Sequence, residues 1–159
     1  IDHFNLSQHP EGGYFRQTYC SSERVSLNAL PERFRGDRPF STAIFYLLEQ
    51  GDFSSFHRIK SDECWHFYAG NALCIHVIDD DGTYQQGKLG NLTEHGDTFQ
   101  FVVPAGAWFA AEPAPGTSFA LTGCTVAPGF GFSDFEMGDK ATLISRFPQH
   151  EILLDRLCR

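Results

Sequence analysis

Between Gly51 and Gly70 the chain runs GDFSSFHRIKSDECWHFYAG. Two histidines, His57 and His66, and three acids, Asp52, Asp62 and Glu63, lie there among aromatic residues. Imidazole is the side chain best placed to exchange protons near neutral pH. A carboxylate brought close to it would orient the ring or act as a base itself. His57 and Glu63 are therefore the first candidates for catalysis, with Asp62 more at home in a turn. A second group lies in HPEGGYFRQTY, where His9, Glu11, Tyr14 and Arg16 surround the pair Gly12-Gly13. A glycine turn carrying a histidine and an acid suits a lid over a site, or simply a solvated turn. Tyr46 lies centrally in an apolar run, as a phenolic acid for the pocket or a core tyrosine with a satisfied hydroxyl.

Strand alternation sorts the neighbours of these groups. It puts Glu63, Trp65 and Phe67 on one face, and Cys64, His66 and Tyr68 on the other. If Glu63 faces an interior, His66 faces away as a second-layer or interface residue, and Arg58 points opposite to His57. Trp65 and Trp108 could wall a cavity and stack a planar or sugar-like ligand, although filling the core is the commoner use of such residues. Cys124 has no histidine or helix start nearby to activate it, which favours a buried structural thiol.

The elements that must carry these residues are mostly strands. Tyr14 to Tyr19, Phe40 to Glu49, Phe53 to Ile59, Cys64 to Tyr68, Leu73 to Ile78, Thr83 to Lys88, Thr98 to Val103, Trp108 to Ala111 and Phe119 to Val126 have the β-branched, aromatic or alternating character of strands. The turn KSDE joins two of them, so Gly51 to Gly70 reads as a hairpin. Residues 21–39 read as a loop with one short helical turn. Asp139 to Arg146 and Pro148 to Leu157 suit short helices, with Pro148 in a first turn. About eight to ten short strands with helix only at the end indicate an all-β sandwich or jelly roll. One domain over residues 1–159 is expected, with an N-terminal arm or lid at 9–39, a barrel at 40–126 and a C-terminal segment at 127–159.

Sixteen Phe, five Tyr and two Trp against one Met favour strands and wide cavities. Net charge is −8, with no Lys/Arg run, which argues against nucleic acid and against anionic membrane surfaces. No apolar run approaches the roughly 20 residues of a membrane span. No signal peptide is visible, and the chain opens on Ile1, so a few preceding residues are expected to be missing. Five cysteines without CxxC spacing fit free thiols in a reducing cytoplasm.

Gly51, His57, Ile59, Glu63 and Gly70 spell G-x(5)-H-x-I-x(3)-E-x(6)-G, which resembles the first signature motif of the cupin superfamily. Where that motif has a second histidine this chain has Ile59, and where the second motif ends in histidine, after Pro104 and Gly106, it has Phe109. Together HPEGGYFRQTY, FHRIKSDECWHFYAG, VVPAGAWFAA, GCTVAPGFGFSDFE and FPQH look like one largely uncharacterised cupin-like family. The resemblance implies a double-stranded β-helix, commonly a homodimer, with a pocket in the barrel. Gln17 stands where that family suggests an acid. The usual cupin metal site takes three His and one Glu, and only His57 and Glu63 match it by position.

No cofactor is expected, and a divalent metal would need a non-standard set around His57 and Glu63. By analogy with jelly-roll epimerases, a metal-free isomerase or epimerase would use His57 as base, Glu63 as orienting carboxylate and Tyr46 or Tyr14 as acid, on a small polar, carbohydrate-like molecule. Trp65, Phe67, Trp108, Phe109, Ile59, His9, Glu11, Tyr14, Arg16 and His66 would bind the ligand. A small-molecule binding protein without turnover is the alternative.

Overall fold

The computed structural model describes residues 1–159. In chain order the strands are β1 (Ser7–Gln8), β2 (Tyr14–Cys20), β3 (Arg24–Val25), β4 (Arg38–Pro39), β5 (Thr42–Glu49), β6 (Ser54–Arg58) and β7 (Asp62–Gly70). They continue with β8 (Leu73–Ile78), β9 (Tyr84–Leu89), β10 (Gln100–Val103), β11 (Trp108–Pro113), β12 (Phe119–Ala127) and β13 (Glu136–Met137). Two short helices follow, α1 (Lys140–Arg146) and α2 (Glu151–Leu157). No helix is long and apolar enough to cross a membrane.

Two antiparallel sheets make the barrel. One has the order β1-β2-β5-β12-β7-β10 and the other β13-β6-β11-β8-β9, with β3-β4 as a separate pair. This is the all-β, double-stranded β-helix expected, closed by a short C-terminal helical segment. The apolar strand LCIHVI ends, as its sequence suggests, at Asp79-Asp80-Asp81-Gly82, where Gly82 takes φ 85° and β9 pairs back on β8. The segment 21–39 holds a helical turn at Leu27–Ala29 and also contributes β3 and β4.

The hairpin expected over Gly51–Gly70 is not what forms. β6 pairs with β11 and β13, while β7 pairs with β12 and β10, so these consecutive strands lie in opposite sheets. Residues 59–61 carry the chain across the barrel edge. There the Gly106 N–H donates to the Ile59 carbonyl at 2.8 Å and Ser61 Oγ donates to the Pro128 carbonyl at 2.7 Å. These long-range bonds stabilise a crossover where a hairpin would have paired the two strands. His57 and Glu63 consequently sit on opposing walls of the interior.

Alternation divides the buried residues between two cores. Tyr46, Leu48, Trp65, Ile75, Val77, Phe109 and Cys124 fill the space between the sheets. Their neighbours Phe56, Ile78, Trp108 and Ala110 point outward, into a second core covered by Leu143, Phe147, Leu154 and Leu157 of the helical segment. Asp139 caps α1 by accepting from the Thr142 N–H at 2.9 Å. The helices therefore cover the outer face of the sheet that carries His57. Leu154 is fully buried there. Leu154→Ala is expected to cost about 2–5 kcal/mol. Chemical denaturation would check this, and a loss under about 1 kcal/mol would mean that the helices contribute little to the barrel.

Candidate functional site

A cavity of about 160 Å³ opens inside the barrel. His9, Glu11, His57 and Glu63 line it, together with Phe15, Ile44, Ile59, Val126, Phe130, Phe132 and Phe135. Gln17, Thr42 and Cys124 complete the wall. The acids and histidines are buried or nearly so, whereas Phe132 is 60% exposed and marks the mouth.

Glu11 reaches the interior because its turn can be made tightly. The Gly12 N–H donates to the His9 carbonyl at 3.0 Å, and the His9 N–H to the Gly13 carbonyl at 2.9 Å. Gly12 and Gly13 have φ of 114° and 68°. A Cβ on Gly12 would lie 2.1 Å from the Phe53 carbonyl, and one on Gly13 2.7 Å from that of Leu47. Only glycine meets both demands. The Ser55 N–H then donates to the Glu11 carbonyl at 2.8 Å, fastening the turn to β6. Tyr46 Oη donates to the Gly12 carbonyl at 2.7 Å, fastening it to β5.

Glu11 Oε2 lies 3.1 Å from His57 Nε2 and 3.3 Å from His9 Nδ1, and Oε1 accepts from Ser54 Oγ at 3.0 Å. The His57 Nδ1 faces the Ser55 carbonyl at 2.7 Å and must carry a hydrogen, since a carbonyl only accepts. The short Nε2–Oε2 approach thus requires one further proton, held on either side. Burial alone would raise the Glu11 carboxyl, but the charge of His57 and the hydrogen bonds from His9 and Ser54 outweigh it and hold the group below its ordinary range. Burial lowers the His57 imidazole, opposed by the Glu11 charge, and the two titrate as a pair.

Glu63 behaves oppositely. Burial first, then the negative charge of Glu11, pushes its carboxyl from 4.5 to about 8, with the Cys124 thiol as its hydrogen-bond partner. At neutral pH one cavity therefore holds an ionised carboxylate, Glu11, and a protonated acid, Glu63. Opposite shifts of this kind mark an acid and a base.

The other expected residues are dispersed. Tyr46 is buried with its hydroxyl given to Gly12, and burial with the Glu11 charge pushes its phenol well above 10. Phe109 packs behind His57 at a ring distance of 4.0 Å. Trp65 stands edge-on to Tyr46 and Phe109 in the first core, and Phe67 packs against that core. Trp108 lies in the second core under the Arg58 guanidinium. His66 faces out from the barrel, between Thr125 and Gln100. Arg16 is exposed and donates to the Phe4 carbonyl, and Tyr14 lies half-buried outside the cavity. Sequence reasoning passed over Phe130, Phe132 and Phe135, although GFGFSDFE announces them. The buried Arg38–Asp134 pair anchors their segment. Thr42, Ile44, Cys124 and Val126 follow from inward parity on β5 and β12.

The side chains do not fit the three-histidine, one-glutamate metal set. Ile59 and Phe109 put hydrocarbon at two ligand positions, and His57 Nε2 is turned to Glu11. No three His, Cys, Asp or Glu side chains come together in a way that could hold a metal ion.

Comparison with known proteins agrees with this barrel. The family described as "Cupin superfamily (DUF985)" matches residues 1–138. The chain is 29% identical over 143 residues to the uncharacterised protein YML079W of Saccharomyces cerevisiae, spanning 84% of this chain and 71% of that one. A hypothetical protein from Leishmania major superposes with TM-score 0.89 at 32% identity, covering 99% and 96% of the two chains. Protein SO0799 from Shewanella oneidensis gives 0.88 at 36% identity, with 100% and 94% covered. Oxalate decarboxylase from Bacillus subtilis, a protein with Mn(II) centres, shares the fold alone, with TM-score 0.56 at 15% identity over 97% of this chain and 38% of that one.

The buried acid has a consequence for stability. Glu63 keeps its proton in the folded chain up to pH about 8, whereas an ordinary carboxyl loses it near 4.5. Between these values the native state binds the extra proton, so this group's contribution falls as pH rises through the window and is fully lost above it. Glu63→Gln should remove that decline, which is on the order of a few kcal/mol at about 1.4 kcal/mol per pH unit. Urea titrations across the window would test this, and parallel pH profiles for the two proteins would refute the assignment.

Proposed function

We propose that this chain, which belongs to the cupin superfamily (DUF985), uses its barrel pocket to bind a small molecule and move a proton on it with side chains alone. The reaction is of the isomerase or epimerase kind. The observation that carries this reading is the pair of buried carboxyls, Glu11 and Glu63, held in opposite protonation states within one cavity.

The geometry supports one set of roles. The Glu11 carboxylate, paired with His57, takes the proton from a substrate carbon beside a carbonyl group. The electron pair of that C–H bond moves onto the carbonyl oxygen, where Glu63 donates its O–H and neutralises the charge as it develops. Return of a proton from Glu11 to the same carbon on its other face, with the oxygen's proton going back to Glu63, completes an epimerisation. Return to the former carbonyl carbon leaves that oxygen as a hydroxyl and sends the neighbouring hydroxyl's proton to Glu63, completing an isomerisation. Tyr46 supports Glu11 by fixing the Gly12 carbonyl; its phenol is too buried and too weak an acid for the donor role. A binding role without turnover is the second reading, favoured by the largely hydrocarbon wall of the cavity.

Exchange of substrate C–H for deuterium in D2O, followed by NMR across a panel of small carbonyl compounds, separates the two. Glu11→Gln and His57→Ala should each slow exchange by about 10²–10⁴-fold. In the wild type, exchange should fall as pH rises past about 8, where Glu63 loses its proton. A ligand that stabilises the protein and returns unchanged, with no exchange from any member of the panel, would leave the binding reading.

A further inference from the structure

The cavity's polar groups constrain the charge of what can enter. Both oxygens of Glu11 are engaged, Oε1 by Ser54 and Oε2 by His57 and His9. Its charge is therefore matched from within the protein and is not left open to a cation. No lysine or arginine lines the cavity. The arginines closest in sequence to lining residues are committed elsewhere, Arg58 to Glu136, Arg16 to the Phe4 carbonyl and Arg38 to Asp134. A phosphate or carboxylate would be buried against Glu11 without a counter-ion, which is strongly unfavourable.

Glu63 is the buried carboxyl left for a ligand, with the Gln17 amide and the His9 ring as the other polar groups on the wall. It is 8% exposed, lines the cavity, and has the Cys124 thiol as its hydrogen-bond partner. With its proton in place it offers one O–H to an acceptor. Most of the remaining surface is hydrocarbon from Phe15, Ile44, Ile59, Val126, Phe130 and Phe135, with Gln17 and Thr42 as the polar exceptions. A sugar carries a hydroxyl on nearly every carbon, and against these walls most would lose their hydrogen bonds to water without replacement. The volume of about 160 Å³ is close to that of an engineered apolar cavity of about 150 Å³ that holds benzene.

We infer that the cavity selects an uncharged carbonyl compound with a flat, ring-sized apolar body, its oxygen directed at Glu63, and rejects sugars, sugar phosphates and carboxylates. This rests on the same cavity being the ligand site, and it narrows the small polar, carbohydrate-like ligand expected from the motifs to an uncharged one with few polar groups.

The titratable groups around Glu63 are Glu11 and His9 on the arm turn, His57 on β6, Tyr46 on β5, Cys124 on β12 and Cys64 next in the chain on β7. Burial raises both thiols above 9 and the phenol above 10. Glu63 is thus the group that titrates near 8. Affinity for a neutral acceptor should fall as it ionises.

Calorimetric titration of the full chain with acetophenone, benzoate, benzylammonium and glucose tests the inference. Acetophenone should bind at least about tenfold more tightly than the others at pH about 6.5, and about tenfold more weakly at pH about 9, where roughly a tenth of Glu63 keeps its proton. Glu63→Gln, which retains a donor, should still bind acetophenone and lose the pH dependence. The inference is overturned if benzoate, benzylammonium or glucose binds as well as acetophenone, or if none of the four binds. Acetophenone-type binding without C–H exchange in any carbonyl compound would keep the ligand class and reject proton transfer. Exchange confined to an anionic substrate would do the reverse.

Discussion

The contact between Glu11 and His57 organises the functional end of this barrel. It joins a turn near the N-terminus to a strand in the middle of the chain, and both partners are buried. An isolated carboxylate in such a place would be strongly disfavoured, so the contact requires a full set of partners. Ser54, Ser55, His9 and Tyr46 supply them directly or through the turn's carbonyls. Gly12 and Gly13 are the steric condition for the approach. The protonation of Glu63 depends on the same contact, because the charge held on Glu11 helps keep Glu63 neutral. One ion-pair geometry therefore sets the arm's position, the turn's composition and the acid–base character of the opposing wall.

Ile59 and Phe109 decide what kind of site this is. Each replaces a donor position of the cupin motifs with hydrocarbon, and each is buried. Phe109 packs behind the imidazole of His57 with the two rings tilted by 55°. With Phe15, Phe130 and Phe135 they line or back a small, largely hydrocarbon-walled pocket, where electrostatic effects are stronger than in water. Losing ligands here has a structural corollary. A carboxylate from the arm faces the His57 nitrogen that a metal would otherwise need.

Much of the architecture was legible in the chain. Strand positions followed from β-branched and aromatic runs, and Leu73–Ile78 has the same bounds in sequence and structure. Parity correctly separated Glu63 and Trp65 from His66. The apparent hairpin misled because KSDE has ordinary turn chemistry. Local residues do not say whether a turn returns a strand to its neighbour or sends it to the opposite sheet. Trp108 and Phe109 illustrate the same limit. They are adjacent, apolar and equally suited to a pocket wall, yet one enters the helix-covered core and the other backs His57.

Motif resemblance implied a barrel of the cupin kind that departs from its metal motif, while residue type and spacing by themselves determined an all-β chain and a set of groups able to exchange protons. These are properties of short stretches, set by backbone preference and the two-residue repeat of strands. Only the tertiary structure decided which of those groups meet. Glu11 reaches His57 across more than forty residues of sequence, and Phe130 and Phe135 arrive from later still. The ionisation of Glu63 likewise comes from burial and from a neighbouring charge remote in the chain. Neither is a property of the glutamate or of the residues beside it.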